Sequence, residues 1–556
     1  MTRRLLLLSA ALAARPIFAQ TLRPSTMAHR STVYAPHGMI ATSQPLATAA
    51  GLSVLERGGN AIDAAVTAAA VLNVVEPQMT GIGGDMFALV WSAKEHTLVG
   101  LNASGRAGSL MTRDALLARG HTKMPEETVE DVTVPGALSG WEALLHRFGT
   151  ISLAQALQPA IGYAEEGFPV TPIIASEWAS EVPKLQRDPG ARATFLVDGT
   201  RAPRAGEWFR NPDLARTFRL IATQGADALY GGDLGRRIVE RLHELGGYLT
   251  IDDLRQHRPE WVTPIAAPFH GYRVWELPPN GQGVATLEML RILEPYDLRA
   301  LGHNSAAYLH LLIETKKLAY ADIARYVGEP NAMTIHPEAL LADAYIAARR
   351  DQIDSAHATD HPAPGKALTA SETIYLTVAD SAGNMVSFIN SLYDLFGSGV
   401  VVPGTGFALQ DRGAGFTLEQ GLANTVAPGK RPFHTIIPAF VTHADAKGAD
   451  EPWLSFGVMG GSMQPQGQVQ VLVNLLVFGM DLQNAIDAAR FRHLDGLRVA
   501  LEPAIGDAVR HQLAALGHVI VPDSAIAFGG AQAILRLPRG YAAGSDPRKD
   551  GMAAGH

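Results

Sequence analysis

The chain contains no cysteine in 556 residues. Disulfides, thiolate nucleophiles and cysteine-ligated metals are therefore excluded. Basic residues are also in short supply: 46 Lys and Arg stand against 54 Asp and Glu, a net charge of −8, so no electrostatic footprint for nucleic acid exists. Beyond the N-terminus, no apolar run reaches the ~20 residues that a membrane-spanning helix needs. HExxH, paired-cysteine and GxSxG motifs are missing, which leaves zinc and nucleophile-elbow serine hydrolase mechanisms without support. No cofactor or metal is expected. Gly81, Gly83 and Gly84 lack the strand-then-helix context of a dinucleotide fingerprint and read as structural. No internal repeat or low-complexity region occurs.

What is present is ample material for a core, with 47% apolar residues. Residues 1–19 carry a basic start at Arg3-Arg4, a short leucine-rich centre and a small residue, Ala19, before Gln20. That is the layout of a bacterial export signal, and a periplasmic or secreted location is expected. The apolar stretch is too short to remain as an anchor.

The most informative stretch lies between residues 355 and 391. Ser355 to Glu372 is a Pro/Gly/Ala-rich linker without periodicity; from Thr373 a β-branched strand runs to Asp380, turns at Ser381 to Asn384, and returns as Met385 to Ser391. A threonine at the head of a strand after a loose segment is placed to cut its own chain. Attack of the Thr373 hydroxyl on the Glu372 carbonyl gives an ester, and its hydrolysis leaves Thr373 with a free α-amine, so nucleophile and base share one residue.

Elsewhere, Ala47–Arg57 and Ala61–Val75 read as helices joined by Gly58-Gly59, the second buried on most sides. Met86–Trp91 and Thr97–Leu101 alternate as strands around a turn at Lys94 to His96, and Tyr272–Leu277 is a further strand. Ala306–Arg325, Val469–Phe478 and Leu482–Arg492 follow helical spacing, and another helical segment is expected to begin near Gln466 after Gly460-Gly461. Strands around Thr373 with Ala-rich helices on either side predict layered helix–sheet–sheet–helix packing.

Longer blocks resemble the γ-glutamyltransferase family. They include Met39 to Ala47, Gly51 to Ala65, Val75-Glu-Pro77 and Gly81 to Asp85, then Thr373 to Asp380, Phe396 to Leu409, Ala427 to Pro432 and Gly457 to Ser462. The resemblance covers roughly residues 35–540. It implies an α/β fold, the four-layer αββα sandwich of N-terminal nucleophile hydrolases. It also implies one packed unit cut into a large subunit, 20–372, and a small subunit, 373–556, that stay together as a heterodimer. Carried over residue by residue, Thr373 falls on the nucleophile, Gly460 and Gly461 on the oxyanion hole, and Ser391 on a second hydroxyl that positions the nucleophile.

The chain departs from that pattern where family members grip a γ-glutamyl group. The serine pair after Lys-Arg-Pro is His434-Thr435, the acid that holds the α-ammonium is Gly415, Tyr393 replaces an assisting Asn, and Arg106 is displaced by two from the carboxylate-binding Arg. These features resemble a side branch that includes oxamate amidohydrolase and glutathione-hydrolase-like proteins. The resemblance thus implies an amidohydrolase for a small carboxylate-bearing amide, with Arg106, Tyr393, Arg412, His434 and Thr435 as candidate substrate contacts. Two alternatives stand beside it: a γ-glutamyltransferase acting on glutathione, and an uncut, inactive binding protein.

Overall fold

The computed structural model describes residues 30–362 and 372–556. The export signal expected at 1–19 lies outside them, as do residues 363–371 of the linker before Thr373.

Fourteen strands form the frame. From the part of the chain before Thr373 come β1 (Val33–Ala35), β2 (Met39–Thr42), β3 (Asp85–Ser92), β4 (Thr97–Ala103), β5 (Glu260–Val262), β6 (Ile265–Phe269) and β7 (Tyr272–Glu276). The part from residue 372 onward supplies β8 (Glu372–Ala379), β9 (Met385–Tyr393), β10 (Ala439–Ala444), β11 (Asp450–Met459), β12 (Gly530–Arg536), β13 (Tyr541–Ser545) and β14 (Met552–Gly555). One sheet runs β14-β2-β8-β9-β3-β4-β5 and the other β1-β13-β12-β11-β10-β7-β6, with every neighbouring pair antiparallel.

The sheets face each other across Phe87, Trp91, Tyr375, Ile389, Phe440 and Met459. Helices α1 (Pro45–Glu56), α2 (Ala61–Val75) and α3 (Ala137–Phe148) cover the outer face of the first sheet. Helices α4 (Gly283–Leu293), α5 (Ala306–Tyr326) and α6 (Met463–Leu476) cover the second. This is the expected αββα sandwich. Every residue of α2 is buried, as its Ala/Val content requires, and Asn60 and Asp63 close its start with a capping box.

Two boundaries differ from the sequence reading. The last helical pattern stops at Asp487, because the chain then extends into a strand, Phe491–His493, with Arg490 tied to Asp546 at 2.7 Å. Helix α6 begins at Met463, directly behind the glycine pair, rather than near Gln466.

Candidate active site

Strand β8 starts with a flaw in its ladder. Glu372 faces Tyr393 and Ile374 faces Asn390, so Thr373 alone stands opposite both Ser391 and Leu392. A bulge of this kind interrupts pairing and re-aims the side chains around it. Tyr393, at its end, has φ +88°, a left-handed conformation that strains an aromatic residue. Thr373 is fully buried, yet its Oγ1 has no hydrogen-bond partner among the described residues. An unbonded buried hydroxyl costs about 1–3 kcal/mol, so the fold sacrifices stability to hold this one.

The two sheets meet in a register that leads from Thr373 to the glycine pair. Thr377 Oγ1 lies 2.7 Å from Ser455 Oγ, and a Cβ added to Gly457 would come within 2.4 Å of the Tyr375 ring. Side chains on one face recur every second residue. Followed toward the start of β8, this register leads along β11 to Met459, the residue before Gly460. Gly460 and Gly461 have φ +113° and +55°, conformations open to glycine, and α6 follows at once. Among the described residues, none accepts a hydrogen bond from either glycine amide.

On the other side of the bulge, Arg412 ties the substrate candidates together. Its Nη2 donates to Ser391 Oγ and its Nη1 to Thr435 Oγ1, each at 2.9 Å, and its guanidinium lies 4.5 Å over the Tyr393 ring. Ser391 Oγ also accepts from the Tyr393 amide at 2.9 Å. Arg412 is fully buried and forms no salt bridge among the described residues, while its Nε is unpartnered. Burial lowers its pKa, and the charge is retained by Asp85 and Asp411 at longer range.

His434 does not stand as a free cation. Its ring is fully buried; Nδ1 accepts from the Ile436 amide at 3.4 Å, so Nε2 carries the proton and donates to Asp85 Oδ2 at 3.1 Å. Burial, and then the nearby Arg412 charge, push its pKa down to about 3, so the ring is neutral. Asp85 itself stays ionised: against the cost of burial, the bond from His434 and the charge of Arg412 hold its pKa below the usual value. Arg106 is also engaged elsewhere, in ion pairs with Glu329 and, at 3.2 Å, with Glu260. The structure does not bring it into the Arg412 network.

Sequence reasoning missed Asp85. Its Oδ1 accepts from the Gly105 and Gly136 amides and from Gln410 Nε2, at 2.9 to 3.0 Å, so this one carboxylate pins three loops beneath the site. The available signal was an acid closing a glycine-rich turn. The glycines before it are structural, as read: a Cβ on Gly83 would sit 2.0 Å from Ala408 O, and one on Gly84 2.1 Å from Ser391 O. At Gly415 a Cβ would approach Phe433 O to 2.7 Å, so the absent acid has no ready room.

One large hollow and one ligand-type cluster among the described residues lie apart from this site. A cavity of about 870 Å³, lined by Ser139, Tyr230, His257 and Trp261 among others, borders none of the predicted residues. His310, Glu314 and His518 hold ligand-type atoms within 4.8 Å of one another, but the Lys317 ammonium, 2.7 Å from Glu314, already supplies the positive charge there. No helix among the described residues is long and apolar enough to cross a membrane.

Known proteins share this arrangement over nearly its whole length. The glutathione hydrolase-like YwrD proenzyme of Bacillus subtilis is 38% identical over 93% of this chain and 98% of its own. The oxamate amidohydrolase proenzyme of Klebsiella pneumoniae is 36% identical over 95% and 100%. Among solved structures, a cephalosporin acylase from Bacillus halodurans superposes with a TM-score of 0.90 at 44% identity, covering 96% of this chain and 98% of that one. The profile described as gamma-glutamyltranspeptidase matches residues 47–556. The chain is an enzyme of the gamma-glutamyltranspeptidase family, with the fold of an N-terminal nucleophile hydrolase.

Proposed function

We propose that the chain is exported, cuts itself between Glu372 and Thr373, and then hydrolyses a small carboxylate-bearing amide of the oxamate type. The observation that carries this reading is the isolated hydroxyl of Thr373, buried at a bulge opposite Ser391, whose own hydroxyl is held by Arg412.

In the first event the Thr373 Oγ attacks the Glu372 carbonyl, the peptide nitrogen leaves with a proton, and water hydrolyses the ester. Residues 20–372 and 373–556 are then separate chains. In turnover the same Oγ attacks the substrate carbonyl while the freed α-amine takes its proton and passes it to the leaving amine. The Gly460 and Gly461 amides hold the negative oxygen, and water then releases the acyl group as a carboxylic acid. Arg412 supplies charge for the substrate carboxylate through Ser391, Thr435 and its free Nε, with the Tyr393 ring beneath it. His434 acts only by fixing the Thr435 segment to Asp85.

The proenzyme names of the relatives support self-cleavage. The lack of an acid at Gly415 counts against a γ-glutamyl substrate, whose α-ammonium would lose a charge-assisted contact. The similarity to the cephalosporin acylase favours a second reading, in which the acyl group is bound to a larger amine.

The test is a cleavage and substrate panel. Wild-type protein is expected as two fragments, the smaller beginning at Thr373, and Thr373→Ala as one inactive chain. Ammonia or amine release is measured from oxamate, a dicarboxylic acid monoamide, γ-glutamyl anilide, glutathione and an N-acyl cephalosporin. We expect the carboxylate-only amides to exceed the γ-glutamyl compounds about ten- to a hundredfold in kcat/KM. Full activity of an uncut chain overturns the mechanism, and efficient use of glutathione overturns the specificity.

A further inference from the structure

The glycine pair is followed by two carbonyls that the preceding fragment holds. Gln282, on the turn before α4, donates its Nε2 to Gly461 O at 2.8 Å and to Thr435 O at 2.6 Å. Tyr320, on α5, donates its hydroxyl to Ser462 O. Gln466 Nε2 reaches the same oxygen at 3.2 Å. Tyr320 is buried, and the Lys316 amine sits 3.8 Å over its ring while hydrogen-bonding His493 Nδ1 at 2.8 Å. His493 is in turn fixed through its Nε2 to Gly496 O at 2.9 Å. Gln282, Lys316 and Tyr320 lie before residue 372; the glycine pair, Gln466 and His493 lie after it.

Peptide planarity turns these contacts into an orientation. A bond to Ser462 O fixes the plane that also carries the Met463 N–H. That N–H donates to Gly460 O at 2.8 Å, which fixes the plane carrying the Gly461 N–H. The bond from Gln282 to Gly461 O fixes the plane between them. The Gln464 N–H donates to that same Gly461 oxygen at 3.1 Å, and both glycines hold left-handed conformations.

We propose that Tyr320, assisted by Gln282, is a positioning residue that aims the Gly461 amide of the pair at the oxygen developing on the substrate carbonyl. The proposal rests on the reading of that pair as oxyanion donors. It places the conformation of a small-subunit loop under the control of large-subunit side chains. Both side chains bond backbone carbonyls behind the amides, so the effect is expected on the transition state rather than on ground-state binding.

The experiment measures kcat and KM of Tyr320→Phe, Gln282→Leu and Tyr541→Phe on the best amide of the panel. Tyr541 is a control of the same type, since its buried hydroxyl donates to Asp380 O at 2.7 Å far from the glycine pair. Tyr320→Phe is expected to lower kcat roughly ten- to thirtyfold with KM within about twofold; outright removal of an oxyanion donor costs roughly a hundred- to a thousandfold. Gln282→Leu should follow the same split, and Tyr541→Phe should keep wild-type kcat. Wild-type kcat in Tyr320→Phe, an equal loss in Tyr541→Phe, or a loss confined to KM overturns the proposal. If Tyr320→Phe does not fold, Gln282→Leu decides it by the same criteria. An active Thr373→Ala instead overturns the nucleophile reading itself, so the two failures are distinguishable.

Discussion

Arg412 and Arg106 were equal candidates in the sequence, and the fold has treated them in opposite ways. Arg106 keeps 35% of its side chain exposed and faces two carboxylates, Glu260 and Glu329. Arg412 is fully buried and is met by two hydroxyls, an aromatic face and no carboxylate within salt-bridge reach among the described residues. A charge cancelled at the surface contributes little, about 0–1 kcal/mol. A buried cation that rests on neutral oxygens keeps its field for something else, and the desolvation it has already suffered makes an incoming anion a strong partner. The difference teaches that availability for a ligand depends on what a cation is not already paired with.

The comparison can be broken at three points. The largest effect is expected from Arg412→Met, which removes the charge and its hydrogen bonds to Ser391 and Thr435. kcat/KM for a carboxylate-bearing amide should fall at least about a hundredfold, measured on protein whose fragment pattern has been checked. An unaltered kcat/KM would show that the buried charge does not serve the substrate.

A medium effect is expected from His434→Asn, read as stability against pH. Unfolded, the imidazole titrates near 6.5; folded, it titrates at about 3. Between those values the unfolded chain binds a proton that the native chain refuses, so stability falls as pH drops from about 6.5 toward 3. Replacing His434 should narrow the gap between the Tm at pH 7 and at pH 4 by roughly 2–5 °C. A gap as wide as that of the wild type would mean that His434 is charged in the native state. The smallest effect is expected from Arg106→Met, less than about threefold in kcat/KM; a loss comparable to that of Arg412→Met would erase the distinction between the two arginines.

Much of the frame was legible in the chain because local patterns and long-range packing agree there. The hairpin around Thr373 is one case: β-branched residues, then Asp380 to Asn384, whose Asp380 Oδ1 accepts from the Ala382 and Asn384 amides at 3.0 Å to close the turn. Helices α2 and α5 were equally plain from composition and period. The helix expected across 482–492 failed because Arg490 is recruited by a distant carboxylate, Asp546, which no local spacing reveals. The site was legible as a set of residues but not as a set of roles. His434 and Arg412 read alike as basic residues; burial and the neighbouring Arg412 charge make the first neutral, while Asp85, nearly 350 positions before His434, helps the second keep its charge. Gln282 and Tyr320 gave no signal, because a side chain that holds a backbone carbonyl carries no motif.

The order of strands in the two sheets has a consequence for the proposed cut between Glu372 and Thr373. Strands β14, β8 and β9, from residue 372 onward, alternate in blocks with β2, β3, β4 and β5 from earlier in the chain, and the second sheet mixes the two parts in the same way. Neither fragment has a complete sheet alone. While the chain is continuous, folding is a first-order event whose rate is independent of protein concentration. Once it is cut, separation of the fragments amounts to unfolding both, and recovery requires two incomplete molecules to find each other. We therefore expect the uncut Thr373→Ala chain to refold at a rate independent of concentration, and the processed enzyme, once denatured, to regain activity at a rate and to an extent that rise with concentration.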